Sequence, residues 1–200
     1  MKRVLLAGLL GGLAMFAWVS IAHMATPLAT AGVGELNNEA PVLQALQASE
    51  GQTSGLYLFP GFGLGHHPTM SQLNAAMPEH EKKLASTPSG MIIYHPPGRP
   101  SMTGATLVIE FAKEFVQILL AMALLSAAAL RGYGSRVAFV AVIGVIEAIG
   151  MNVSYWDWYG FPGNYTVAQI CIMVVGFLVA GLVGAAIVKG GAAKSSTATA

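Results

Sequence analysis

From Thr166 to Val188 the chain carries no charged residue at all. A helix crosses the ~30 Å hydrocarbon core of a bilayer in ~20 apolar residues, so this stretch is long enough to span one. Three earlier runs have the same character: residues 4–26, which stop at Pro27, then 105–130 and 137–155. None shows the alternation of lipid-facing and lumen-facing residues that strands of a transmembrane barrel require. Charged residues make up only 10% of the chain, where a soluble domain carries about 25%. The expected fold class is therefore a membrane all-α protein, a four-transmembrane-helix bundle.

Lys and Arg set its direction. Lys2 and Arg3 precede the first run, Arg131 and Arg136 flank the short "RGYGSR" turn, and Lys189 and Lys194 follow the last run. With four crossings all of these fall on one side, which the positive-inside rule makes cytoplasmic. Both termini are then inside. The first run also reads as a signal peptide, with Ser20-Ile21-Ala22 as a small-x-small cleavage site. Cleavage there would leave three spans without reversing the rest, and a retained first helix is the favoured reading.

Four segments follow: a first transmembrane helix over 1–26, an extracytoplasmic segment over 27–104, a three-helix bundle over 105–188, and a disordered cytoplasmic tail over 189–200. At the outer end of the third run lies "SYWDWYGFPGNY". Tyr155, Trp156, Trp158 and Tyr159 are interfacial anchors, because ring and polar handle are both satisfied at the headgroup level. "GFPG" is expected to reverse the chain as a type II turn, with Gly163 at positive φ.

The outer segment predicts a small α+β insertion between the first two helices. Asn38 is placed to cap a helix with Pro41 in its first turn and Val42, Leu43 and Leu46 on one face. "GLYLFPG" and "GMIIYHPPG" are strand-like runs bounded by Gly and Pro, expected to pair. "PEHEKKLAS" suggests one or two helical turns. The segment also holds His66, His67, His80 and His95 beside several methionines. Imidazole with thioether suits copper, and imidazole alone suits zinc. The competing reading is polar loop histidines next to gap-filling methionines, since no zinc-ligand spacing is present.

The membrane runs contain polar residues that call for a reason. Glu110, Lys113, Glu114 and Gln117 fall at i, i+3, i+4 and i+7, hence on one helix face. Glu147 lies eleven residues beyond Arg136, roughly 16 Å along the axis and so near mid-membrane. Asn152 and Gln169 lie in the outer half. An ionised carboxylate at the bilayer centre costs about 2.5–3.5 kcal/mol on insertion scales, so Glu147 should face the bundle and find a donor. Gln117, one turn away in depth, is its easiest direct partner. Lys113, about 10 Å nearer the outside, pairs more readily with Glu110 or Glu114.

Small residues four apart predict close helix contacts: Gly8 and Gly12, Gly144 and Ala148, and Gly176, Ala180 and Gly184. The single cysteine, Cys171, excludes an intrachain disulfide and is expected to be a small buried hydrophobe. A net charge of +1 gives no electrostatic ground for a nucleic-acid partner. There is no phosphate-binding glycine loop, HExxH, CxxC or nucleophile elbow. These absences point away from an enzyme and from an organic cofactor. The expected function is a plasma-membrane, multi-pass, non-enzymatic subunit or accessory protein, with lipid and a membrane protein or further copies of itself as partners. Two alternatives stand beside it. One is a small ion- or proton-coupled transporter or channel using Glu147; the other is extracytoplasmic copper or zinc handling by the four histidines.

Overall fold

The structure is a computed structural model describing residues 1–65 and 67–189 of the chain. His66 and the tail from Gly190 onward, including Lys194, lie outside the described residues, as does nearly all of the segment read as disordered. The chain is mostly helical and divides into two compact units. Among the described residues one comprises Met1–Gly34 together with residues 102–189; the other lies within Glu35–Ser101.

The first unit holds four long helices: α1 (Lys2–Ala25), α4 (Gly104–Ala127), α5 (Tyr133–Tyr159) and α6 (Gly163–Ile187). At 1.5 Å per residue they are about 36–40 Å long. Among the described residues α1, α5 and α6 are long and apolar enough to cross a membrane. α4 matches them in length, but every 18-residue stretch of it includes Glu110, Lys113 and Glu114.

The helices pack as a ring in the order α4, α1, α6, α5, with α5 returning only lightly to α4. Three seams are set by glycine. A Cβ on Gly12 of α1 would come 2.8 Å from the Cα of Phe115, and one on Gly8 would come 3.0 Å from the Cα of Leu119, so α1 and α4 meet nearly backbone to backbone. A Cβ on Gly11, on the next face of α1, would come 3.2 Å from the Ala180 carbonyl oxygen of α6. Between α5 and α6 the Phe177 side chain fills the space that a Cβ on Gly144 would need. Lipid tails are as apolar as leucine, so helices in a membrane gain from dispersion and hydrogen bonds only where they approach this closely. Phe177, Met15, Ile118, Met122, Leu125 and Val140 fill the interior.

Side chains stitch the ring further. The Trp18 indole N–H donates to the Ile172 carbonyl at 2.8 Å, joining α1 to α6. At the far end Tyr133 Oη donates to the Leu182 carbonyl at 2.8 Å and Arg136 Nε to the Ala185 carbonyl at 3.1 Å, tying α5 to the last turns of α6.

Two local readings are corrected here. α5 runs to Tyr159, further than the apolar run, so its stop falls on Gly160 (φ 68) and not on Gly163. Glycine tolerates this left-handed backbone at no steric cost. Gly163 instead opens α6, with Pro162 as its cap. Cys171 is exposed on the outer face of α6, because the α6 faces turned toward α1 and α5 are taken by Ile172, Phe177 and Ala180.

The segment 27–104 does not behave as one piece. A 3₁₀ turn, Pro27–Thr30, packs on α1 and α6 and belongs with the long helices. Thr26 makes the junction: its hydroxyl donates to the Ala22 carbonyl at 2.7 Å and accepts from the Leu28 N–H at 3.2 Å.

The second unit contains α2 (Glu39–Glu50), β1 (Gly55–Phe59), α3 (Met70–Ser86) and β2 (Gly90–Tyr94). The strands pair antiparallel, with Leu56 opposite Ile93 and Leu58 opposite Met91. Tyr94 is its one buried apolar residue among those described; its hydroxyl donates to the Gly51 carbonyl at 2.9 Å. Asn38 caps α2 by position, from a left-handed backbone and without a side-chain bond. α3 is far longer than one or two turns. Thr69 and Gln72 form a reciprocal capping box at its start, and the helix carries Pro78 within it. That box fixes the helix entry eight residues ahead of the stretch whose composition reads as helical.

Candidate functional site

The seam between α4 and α5 differs from the other three, and it gathers much of the polar group read from the sequence. α4 starts at a Thr103 cap, whose hydroxyl accepts from the Thr106 N–H at 3.1 Å. Its i, i+3, i+4, i+7 spacing then turns Glu110, Lys113, Glu114 and Gln117 to one side. Lys113 Nζ lies 2.7 Å from Glu110 Oε1 and 3.4 Å from Glu114 Oε1. Gln117 Nε2 donates across the seam to Glu147 Oε1 at 3.3 Å.

Burial grades these groups from outside to inside. The Lys113 and Glu110 side chains remain 41% and 40% exposed. Gln117 and Glu147 are half-buried. Glu114 is fully buried, at 0% exposure. Four of the buried oxygens have no hydrogen-bond donor among the described residues: Glu114 Oε1 and Oε2, Gln117 Oε1 and Glu147 Oε2. All four are acceptors. The ammonium of Lys113 is within ion-pair distance of Glu114 but spends its short hydrogen bond on Glu110.

Glu114 is the residue whose place sequence reasoning missed. Axial counting singles out Glu147 as the deep carboxylate, yet Glu114 is the more enclosed. The cause is rotation, not depth. Gly12 lets the α1 backbone close over α4 at this level, where a Cβ on it would come 3.5 Å from the Glu114 carbonyl carbon. The "GLLGG" run in α1 was the available signal, since it marks the helix that comes close enough to seal a neighbour's side chain.

The other polar residues stay apart from this group. Asn152 donates to the Ala148 carbonyl of its own helix at 2.9 Å. Gln169 is half-buried on α6 and makes no hydrogen bond to the α4 or α5 residues named above.

The aromatic set sits together at the α5–α6 turn. Tyr155 stacks on Phe161 with ring centroids 5.2 Å apart and meets Tyr159 edge-on at 5.9 Å. Trp156 and Trp158 are exposed, Trp158 at 82%.

Of the histidines, His80 of α3 stacks on Phe62 at 3.8 Å, and its Nδ1 is buried without a hydrogen-bond partner among the described residues. His67 has a left-handed backbone (φ 58) and is exposed, as is His95. No three His, Cys, Asp or Glu side chains among the described residues converge as a metal site would need.

No protein-family model, curated protein or solved structure matches the chain.

Proposed function

We propose that the protein is a multi-pass plasma-membrane protein that crosses four times, with both termini in the cytoplasm. It acts as a non-enzymatic subunit of a membrane complex, and the α4–α5 seam is where a neighbouring transmembrane segment docks. That neighbour belongs to a partner protein or to a second copy.

The fourth crossing by α4 is supported by its length and by its backbone-close packing along α1. It also returns the chain so that Lys2, Arg3, Arg131, Arg136 and Lys189 share one side. α1 is retained in this account, because it packs between α4 and α6 and is a wall of the ring. The exposed Trp156, Trp158 and Tyr159 then meet the headgroup layer at the outer surface.

One observation carries the docking role. A Glu–Lys ion pair stands 40% exposed on the flank of α4, beside a seam that α5 closes only lightly. Facing lipid, those charges are expensive; facing another protein, they are paired and useful. The adjoining exposed apolar residues of α4, Val116 at 50% and Leu120 at 61%, continue the same flank.

Cross-linking from single cysteines tests this, in a Cys171→Ala background and in native membranes. Cysteine at Val116 or Leu120 should capture one neighbour of defined mass, while cysteine at Val167 or Leu178 on the outer face of α6 should capture none. Equal, heterogeneous capture from both helices would remove the docking reading. Ion flux into liposomes by the isolated chain, lost in Glu147→Gln, would replace it with transport.

A further inference from the structure

The seam poses a problem that a docking partner does not solve. A partner helix can cover Lys113 and Glu110, which are partly exposed. It cannot reach Glu114, whose surface is entirely taken up inside the bundle. The Gln117 and Glu147 oxygens that lack donors are buried as well. Whatever satisfies these atoms is small.

Charge narrows the choice. The charged groups that face Glu114 are Lys113 and Glu110 on its own helix and Glu147 on α5. α1, which packs against it through Gly12, brings no titratable group to that level, and its one histidine, His23, lies at the far outer end with its Nδ1 on the Val19 carbonyl. Three carboxylates thus share one ammonium, and with all of them ionised the negative charges outnumber the positive by two. Uncompensated charge in a low-dielectric interior costs several kcal/mol per ion. Unpaired acceptors add to that cost. Water would supply donors but no charge. A cation supplies both.

We propose that the Glu114, Gln117 and Glu147 oxygens form an intramembrane site for a single monovalent cation, either a proton or Na⁺. A proton would sit on one carboxyl and be donated to a neighbouring oxygen. Na⁺ would be held among the same oxygens as a hard cation by hard ligands. The site is enclosed by α1 and α4 and bordered by α5, and the α4–α5 seam is the lightest contact between neighbours around the ring. That seam is therefore the route by which the ion enters and leaves. The inference does not depend on docking, because the oxygens lie where no other chain can touch them.

Infrared difference spectroscopy on the full chain in lipid nanodiscs tests it. Spectra are taken across a pH series with Na⁺ absent and then added, alongside equilibrium ²²Na⁺ binding. A proton site gives a protonated-carboxyl band that is lost in Glu114→Gln or Glu147→Gln. A sodium site binds about one ²²Na⁺ per chain, with binding lost in the same variants, and added Na⁺ erases any carboxyl band. Wild-type protein that shows neither a protonated-carboxyl band nor bound ²²Na⁺ overturns the proposal, and so does a band or binding left intact in both variants. The wild-type measurement decides the matter even if one variant fails to fold. Cross-linking of α4 is read separately, so failure of the docking reading and failure of the cation site are distinguishable.

Discussion

Two kinds of helix contact coexist in this bundle. Along α1–α4, α1–α6 and α5–α6, glycine brings backbones or large side chains into direct contact. Along α4–α5, contact is light and is made through Gln117 and Glu147. The first kind maximises dispersion, which is what holds helices together when lipid removes the hydrophobic drive. The second kind forfeits dispersion and encloses polar atoms that cost free energy. A protein selected only for stability would have closed the fourth seam as it closed the other three. On the proposed function, the difference separates a structural part, made of three glycine seams, from a seam kept open for a partner.

The contrast breaks first at the glycines. Gly12→Leu would push α1 off the Phe115 backbone, and recovery of monodisperse protein should fall close to zero. Gly144→Ala places a methyl group against Phe177 and should cost about 1–3 kcal/mol, the usual range for overpacking, read as a lower unfolding midpoint in detergent. Gly150→Ala, where nothing lies within 4 Å, is the control and should leave the midpoint unchanged. Substitution in the polar seam should behave in the opposite way. Glu114→Leu replaces a buried carboxylate with an apolar side chain and should be neutral or stabilising, by about 1 kcal/mol, while abolishing cation uptake. A loss as large as that of Gly144→Ala would show that the seam is structural after all. The smallest effect is the Gln117–Glu147 bond itself. A double-mutant cycle to alanine should give a coupling of about 0.6 kcal/mol, typical of interhelical hydrogen bonds in membranes.

What could be read from the chain before folding follows the same division. Long apolar runs announce helices because a span needs only length and high hydropathy with few charges, and α1, α5 and α6 have both. The pairing of Gly55–Phe59 with Gly90–Tyr94 was legible from β-rich residues between Gly and Pro breakers. Glu147 and Gln117 could be matched because depth along two antiparallel helices is simple arithmetic. Glu114 could not be placed, because its burial depends on which face α1 presents, and rotation about a helix axis is settled by packing. The 17 residues of α3 were underestimated for a local reason: its entry is marked by one capping pair, Thr69 and Gln72, and its apolar stripe is thin, with Met70, Leu73, Met77 and Leu84 set among polar residues. The reversal at Gly160 was misplaced by three residues because aromatic residues extended α5 past its apolar run. The histidines remain the least legible feature, since ligand sets depend on tertiary approach and His66 lies outside the described residues.

Everything proposed for the seam requires α4 to cross the bilayer despite its three charges. The most direct measurement uses single cysteines at Ser54 and Ser135, both exposed, in a Cys171→Ala background probed with a membrane-impermeant thiol reagent. Ser54→Cys should react from outside intact cells, and Ser135→Cys only after the cytoplasmic face is opened. Reaction of both positions from the same side would mean that α4 does not span, and the polar seam would then lie outside the hydrocarbon.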